Sequence, residues 1–305
     1  MSRIIAIVGA LLLAFGIIAG TLLDTSPARP VEHRAGYRVV QGDFHAHTRF
    51  SDGVVSPCDL VLQARRRGLD VIGVTEHNTV FPGQIARACT ALVSDAPVVV
   101  VGEEVTTREL HMLALGIEKD VDARMPPREV VAAVHAQGGV VVAAHPTKRF
   151  WPALTPICDV VDGIEVVHPI AYRDSDGGIG RWSEIVELAK GECGTDKAMI
   201  GNSDYHAGSV LGITRTYLFV DQLSAAGVTS AIREGRTVTR APDGTMFGPD
   251  ALVASLQDKP LADRPADYGY AGTGVLDRVA RALGLIGALL LCLVRVSGPR
   301  RPNEA

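Results

Sequence analysis

Between Gly42 and Gly53 the chain reads GDFHAHTRFSDG, with His45 and His47 two positions apart and Asp52 five beyond. Side chains at i and i+2 of an extended segment point the same way. Two imidazoles so placed can share one cation, although a histidine-bearing turn has the same spelling. Asp52, in SDG, reads equally as a turn aspartate ahead of glycine. The ambiguity recurs along the chain. TEHN sets His77 before the capping residue Asn78, GEEVTT holds Glu103 and Glu104, AHP ends a strand on His145 and Pro146, and NSDYH places Asp204 and His206 two apart. Each motif alone is bland, but together they hold His45, His47, His77, His145 and His206 of the nine histidines, and His111 lies in the apolar run LHMLALGI. A mixed imidazole and carboxylate set of this kind suits Zn²⁺, Mn²⁺ or Fe²⁺. Of the remaining three, His33 falls in a linker and His135 lies in the helical stretch REVVAAVHAQGG, as a packing or surface histidine. His168 follows GIEVV at a strand end, where it can line a pocket.

For these residues to cooperate, the fold must bring them together. From Tyr37 to Arg240 short β-branched runs alternate with helical patterns. The strand candidates are YRVVQGDFHAH, DVIGVTEHN, APVVVVGEE, LHMLALGI, GGVVVAAHP, DGIEVVHP, AMIGNSD and TYLFVD. SPCDLVLQARRRG, PPREVVAAVHAQG, GRWSEIVELAKG and SAAGVTSAIREG have the start and stop signals of helices. Nearly continuous valine and isoleucine runs suit strands covered on both faces. This many units in one stretch predicts an α/β chain closed as a βα-barrel rather than two domains. The polar residues fall where the apolar strands end, and in such a barrel those ends share one rim.

Composition narrows the partners. A net charge of -4 and the absence of a basic cluster with interleaved aromatics argue against nucleic-acid binding. Cys58, Cys89, Cys158, Cys193 and Cys292 lack C-x-x-C spacing, and read as neither a disulfide framework nor a zinc ribbon. Residues 4–23 form an uncharged apolar run, about the ~20 residues that cross a bilayer. Without a small-x-small cleavage site before Asp24, residues 1–24 read as a retained anchor in preference to a signal sequence. Residues 25–36 are a linker, 37–250 the globular domain, 251–274 a loose connector, 275–296 a short membrane-associated helix and 297–305 a basic tail. The apolar core of that last helix, Ala282 to Val294 between Arg281 and Arg295, also allows an interfacial or docked helix. Arg3, Arg300 and Arg301 favour both termini inside and the domain extracytoplasmic, against Arg29, Arg34, Arg38, Arg278 and Arg281.

In their order, DFHAHTRFSDG, TEHN, GEEVTT followed by HMLALGI, AHP and GNSDYH resemble the polymerase-and-histidinol-phosphatase (PHP) superfamily of metallohydrolases. TRTYLFVD and AIREGRTVTR look most like its carbaryl-hydrolase-type subgroup. The resemblance spans Tyr37 to Arg240 and implies a distorted seven-stranded βα-barrel holding two or three divalent ions. Carried over by motif, it implies a first metal at His45, His47 and Asp204, with Glu104 bridging to a second at His111 and His145. A third would take Asp52, His77 and His206. Glu104 is preferred to Glu103 by the family's Gly-x-Glu spacing from Gly102, and strand neighbours face opposite ways. Glu76 stands where aspartate is commoner and His168 where asparagine is frequent.

The chemistry so implied is hydrolysis of a small phosphomonoester by a metal-bridging hydroxide held at Glu104. Lys148, Arg149 or His168 would contact the substrate. The same fold accommodates two alternatives, a carboxylic or carbamic ester hydrolase and a membrane-tethered domain that binds metal without turnover.

Overall fold

The computed structural model describes residues 2–22, 29–93, 95–169, 181–194, 196–206, 210–241, 243–264 and 275–297. They belong to two compact units, residues 27–270 and residues 1–26 with 271–305. In chain order the smaller unit opens with α1 (Ser2–Leu22), and the larger begins with β1 (Glu32–Arg34) and β2 (Tyr37–Asp43). There follow α2 (Pro57–Arg66), β3 (Val71–His77), α3 (Phe81–Cys89), β4 (Val98–Thr106), β5 (His111–Leu115), α4 (Pro127–Ala136) and β6 (Val140–Ala143). The larger unit continues with the short α5 (Trp151–Leu154), β7 (Gly163–Val167), α6 (Arg181–Glu192), β8 (Ala198–Gly201), β9 (Arg215–Val220), α7 (Ala225–Arg233), β10 (Thr237–Arg240), β11 (Met246–Phe247) and α8 (Asp250–Asp258). The last element, α9 (Val275–Ser297), returns to the smaller unit.

The strands form one mixed sheet in the order β11-β10-β9-β2-β3-β4-β5-β6-β7-β8, with β1 beside β2. Strands β2, β3 and β4 are parallel, as are β6, β7 and β8, and β5 is antiparallel to both of its neighbours. Strand β9 runs antiparallel to β2. The sheet has eleven strands, not the seven expected. One cause is local: a four-residue link cannot make a parallel crossover, which needs about a dozen residues or more. Residues 107–110 therefore fold β5 back on β4, with Thr107 accepting from the Leu110 amide at 3.0 Å. The other cause is that β1, β10 and β11 extend the sheet beyond the barrel wall.

The wall nearly closes. Thr216 Oγ1 accepts from the Gly201 amide at 2.9 Å and donates to the Gly201 carbonyl at 3.0 Å, linking β8 to β9. Beyond the strand ends, Ala46 bridges Tyr205 in parallel, with His47 N to Tyr205 O at 3.0 Å and Tyr205 N to His45 O at 3.1 Å. The valine-rich β4 and β6 are buried along nearly their whole length, as the continuous apolar runs predict. On the outside, α2 starts at a capping box, in which Ser56 accepts from Asp59 N at 3.1 Å and Pro57 opens the helix. Besides β1, β10, β11 and the short α5, two helices were not anticipated. Helix α3 hides Pro82 and Gly83 in its first turn, and α8 occupies the start of the expected connector.

The cysteine reading is overturned. Cys58, in the first turn of α2, is disulfide-bonded to Cys89 at the end of α3, with Cα atoms 5.4 Å apart. Cys158 is bonded to Cys193 just after α6, with Cα atoms 4.4 Å apart. The partners stand 31 and 35 residues apart, so folding rather than a local motif brings them together. Cys292, in α9, is free and exposed.

In the smaller unit α1 and α9 pack antiparallel. A Cβ on Gly16 would collide with the Gly284 backbone, and one on Gly9 would meet the Gly287 carbonyl at 3.0 Å. Arg281 donates to the Gly20 carbonyl at 3.2 Å. Among the described residues one helix, Ser2–Gly20, is long and apolar enough to cross a membrane, which anchors and signal sequences share. In α9 the apolar stretch Ala282 to Val294 lies between Arg281 and Arg295. The expected short C-terminal membrane helix is thus present as a helix.

Candidate metal centre

Four carboxylates and seven imidazoles meet at one rim of the barrel. His45 and His47 lie just past β2, where the Tyr205 bridge keeps the chain extended, and their ring centroids are 5.1 Å apart. Both side chains are fully buried. Glu104, on β4, points to the rim while its neighbour Glu103 points away and accepts from Val121 N at 2.6 Å. The period-2 argument for choosing between them therefore matches the placement of the two side chains. His111 reaches the same rim from the first residue of β5, because that strand runs backwards.

The contacts divide into groups. His45 Nε2 and His47 Nε2 lie 3.1 and 3.3 Å from Asp204 Oδ1, and 3.3 and 3.4 Å from Glu104 Oε2. Glu104 Oε1 faces His111 Nδ1 at 2.9 Å and His145 Nε2 at 3.0 Å. At the more open side, Asp52 Oδ1 faces His206 Nε2 at 3.1 Å and Asp52 Oδ2 faces His77 Nε2 at 3.3 Å. His47 touches both regions, since its Nδ1 is 3.6 Å from Asp52 Oδ1. All nine residues read from the sequence as ligands are thus brought together.

The donors fit divalent cations on a direct test. His45 Nε2, His47 Nε2 and Asp204 Oδ1 are buried, converge, and make no hydrogen bond. Buried polar atoms are normally satisfied, so a shared cation is the group they lack. Four sets, His45 with His47 and Asp204, His45 with Glu104 and His145, His45 with Glu165 and His168, and His47 with Asp52, His77 and His206, each bring their ligand atoms within 4.8 Å of one another. Backbone strain collects here as well: Asn78, His145 and Asp204 have φ of 55°, 27° and 47°. Such conformations cost side-chain-bearing residues energy and persist where surrounding contacts hold them.

Electrostatics agree. Burial opposes a charge on His45, but Asp204, Glu165 and Glu104 outweigh it and hold its pKa well above the usual histidine value. Burial pushes His47 down to about 4, so it presents a neutral ring. Burial alone would raise Glu104, yet His45, His111 and His145 drive it well below the ordinary carboxylate value. Asp204 is likewise lowered, its burial overcome by His45, His168 and His47. The carboxylates stay ionised in a dry place, which requires positive partners.

A second layer of polar residues holds this set. Asp43 accepts from Ser203 N at 3.1 Å and Gly212 N at 2.8 Å, tying β2 to the loop after β8. Asn202 Oδ1 accepts from Phe44 N at 2.7 Å. Glu76 accepts from Thr48 N at 2.5 Å and from the Ser51 hydroxyl, which fixes the turn carrying Asp52. Gly53 has no alternative in that turn, since a Cβ would strike the His47 carbonyl. Sequence reasoning missed Glu165, which is fully buried beneath His45. Its signal was a lone carboxylate inside the apolar run GIEVV.

The expected substrate contacts separate. His168 is buried, 1% exposed, with Nε2 3.3 Å from Asp204 Oδ2. Lys148 is exposed but pairs with Glu184 at 3.0 Å. Arg149 is exposed and lies over the Phe150 ring at 5.4 Å, and that ring is 5.3 Å from His111 and 5.9 Å from His145. Outside the centre, His135 bonds Asp162 at 2.7 Å, the packing role expected of it.

No family model matches the chain. It is 30% identical over 149 residues to an uncharacterized protein of Methanocaldococcus jannaschii, covering 44% of this chain and 85% of that one. It is 32% identical over 81 residues to a 5'-3' exoribonuclease of Haemophilus influenzae, covering 25% of this chain and only 29% of that protein. Its fold is that of a two-domain protein from Bacteroides vulgatus containing a predicted PHP-like metal-dependent phosphoesterase. The TM-score is 0.62 at 22% identity, over 77% of this chain and 74% of that one.

Proposed function

We propose that this chain, which belongs to the same family as the Methanocaldococcus jannaschii protein and has a PHP-like fold, is a divalent-metal-dependent hydrolase that cleaves phosphomonoesters. The observation that carries the reading is the convergence of His45 Nε2, His47 Nε2 and Asp204 Oδ1, buried and without hydrogen bonds, beside Glu104. His45, His47 and Asp204 would hold one ion, Glu104, His111 and His145 a second, and Asp52, His77 and His206 a third. Zinc, manganese and iron all suit these donors. Bound there, such ions make hydroxide available near neutral pH and neutralise charge developing on the attacked group.

The chain's own residues supply the rest. Glu104 turns Oε2 to His45 and His47 and Oε1 to His111 and His145, so its carboxylate would serve both ions. Arg149, beside the His111 and His145 edge, is the cation best placed to hold a phosphate oxygen, since Lys148 is engaged by Glu184. The burial of His45, His47 and Glu104 keeps bulk water from this floor and strengthens each interaction.

The same reading places the hydrolase outside the cytoplasm, held by α1. Two disulfides support this, because they persist in oxidising compartments and are rare in the cytosol. The substrate is then a small extracytoplasmic phosphoester.

The test uses the full chain in detergent with Mn²⁺, Zn²⁺ or Fe²⁺, assayed on aryl phosphates, aryl carboxylic esters and aryl carbamates. A short RNA is included because one relative is an exoribonuclease. Phosphate-ester turnover abolished by His45→Ala and by Glu104→Gln is expected. Turnover that survives both substitutions, or preference for the carboxylic substrates, overturns the assignment.

A further inference from the structure

Beneath the centre lies a second carboxylate-imidazole pair that none of the three ion groups requires. Glu165, on β7, is fully buried, and His168, just past the same strand, is 1% exposed. Neither side chain reaches solvent, so neither can meet a substrate that enters from the rim. Their contacts run to the groups above them instead. Glu165 Oε1 is 3.2 Å from His45 Nδ1 and accepts from Asn202 Nδ2 at 2.7 Å. Glu165 Oε2 accepts from His145 N at 2.6 Å and lies 3.5 Å from His168 Nε2. His168 Nε2 is in turn 3.3 Å from Asp204 Oδ2.

We infer that Glu165 and His168 are positioning residues that aim His45, Asp204 and His145 at the ion sites. This rests on the metal-centre reading above. A carboxylate at Nδ1 requires the His45 proton to sit on that nitrogen, which leaves the Nε2 lone pair facing Asp204 Oδ1. Outer carboxylates commonly fix the tautomer and raise the basicity of a metal-binding histidine in this way. His168 does the matching task for Asp204. Its Nε2 lies 3.3 Å from Oδ2, while Oδ1 faces His45 and His47. Glu165 also pins the backbone of His145, whose φ of 27° is costly, through the short bond to its amide. One buried carboxylate therefore supports residues of two ion groups.

The neutral isostere is informative for a geometric reason. All three close partners of Glu165 present N–H groups to it. A glutamine must turn its own NH₂ towards at least one of them, and that contact becomes repulsive.

Metal-free full-length protein is titrated with Co²⁺, reading both affinity and the visible d–d spectrum, for wild type, Glu165→Gln, His168→Ala and His168→Asn. Thermal unfolding of each metal-free variant reports folding. The expected result is a loss of about 10- to 100-fold in Co²⁺ affinity and an altered spectrum for Glu165→Gln and His168→Ala. His168→Asn, whose amide still donates to Asp204, recovers most of the affinity. If Glu165→Gln does not fold, the contrast between His168→Ala and His168→Asn decides alone. Unchanged affinity and spectrum in the folded variants overturn the inference while leaving the metal centre standing. A stoichiometry reduced by one ion with the remaining sites unaltered overturns it too, because Glu165 or His168 would then be a ligand. Wild type that binds no Co²⁺ removes the metal reading itself.

Discussion

Removing the Cys58–Cys89 bond gives the most quantitative test of the larger unit. The substitution is Cys58→Ala with Cys89→Ala; alanine is chosen because Cys89 is buried, and a serine hydroxyl there would need a partner. The partners are 31 residues apart. Chain-entropy reasoning then assigns the bond about 3.7 kcal/mol of stability at 25 °C. The 35-residue separation of Cys158 and Cys193 gives about 3.8 kcal/mol by the same relation. The two loops, 58–89 and 158–193, do not overlap, so the effects should add. For a unit of this size each bond corresponds to about 7–15 °C in Tm. The assay is thermal unfolding of metal-free protein prepared with and without reductant. Oxidised wild type should melt above the double variant by that amount. Reduced wild type should melt close to the variant lacking all four cysteines. Equal Tm for oxidised wild type and the double variant, or five thiols titrating in denatured, unreduced protein, would refute the reasoning.

Other expectations follow from single contacts. Glu104→Gln, which removes the negative charge and replaces one of the two oxygens facing His45, His111 and His145 with an NH₂ group, should lower divalent-cation affinity by at least about 100-fold, read by metal analysis after dialysis. Glu103 is pushed up to about 7, chiefly by burial, against 4.5 for the free group. Its folded state holds the proton longer than the unfolded state, so stability is complete below pH 4.5 and falls as pH rises to 7. Glu103→Gln should flatten that slope and gain about 1–3 kcal/mol at pH 8 in urea titrations of metal-free protein. An unchanged slope would count against the buried charge. Arg149→Ala should raise KM for a phosphomonoester about 10-fold or more with little change in kcat, and leave an uncharged ester unaffected.

Apart from Asp52 and His111, the candidate site residues were legible because they sit at or just past the end of an apolar strand, where period-2 patterning stops and a polar residue has no packing reason to be. His111 broke that rule, being the first residue of β5, and only the family motif identified it; the backward run of the strand explains why. Glu165 was overlooked because an isolated carboxylate in a five-residue apolar strand has no partner within reach along the chain. Its partners His45 and Asn202 are 120 and 37 residues away. The disulfides were invisible for the same reason. Helix α3 was missed because Pro82 and Gly83 depress its propensity, whereas its burial against β4 makes it. The number of strands escaped because a hairpin and a crossover begin with the same apolar run, and only link length tells them apart.

The chain leaves the smaller unit near residue 26 and re-enters it near residue 271, where α9 lies against α1 across Gly16 and Gly284. The larger unit is therefore an insertion between two paired helices and is tethered at both ends. One proteolytic cut in either connection does not shed it, because the other connection still runs to the helix pair. Release requires two cuts, or one cut together with separation of the helices at their glycine seam.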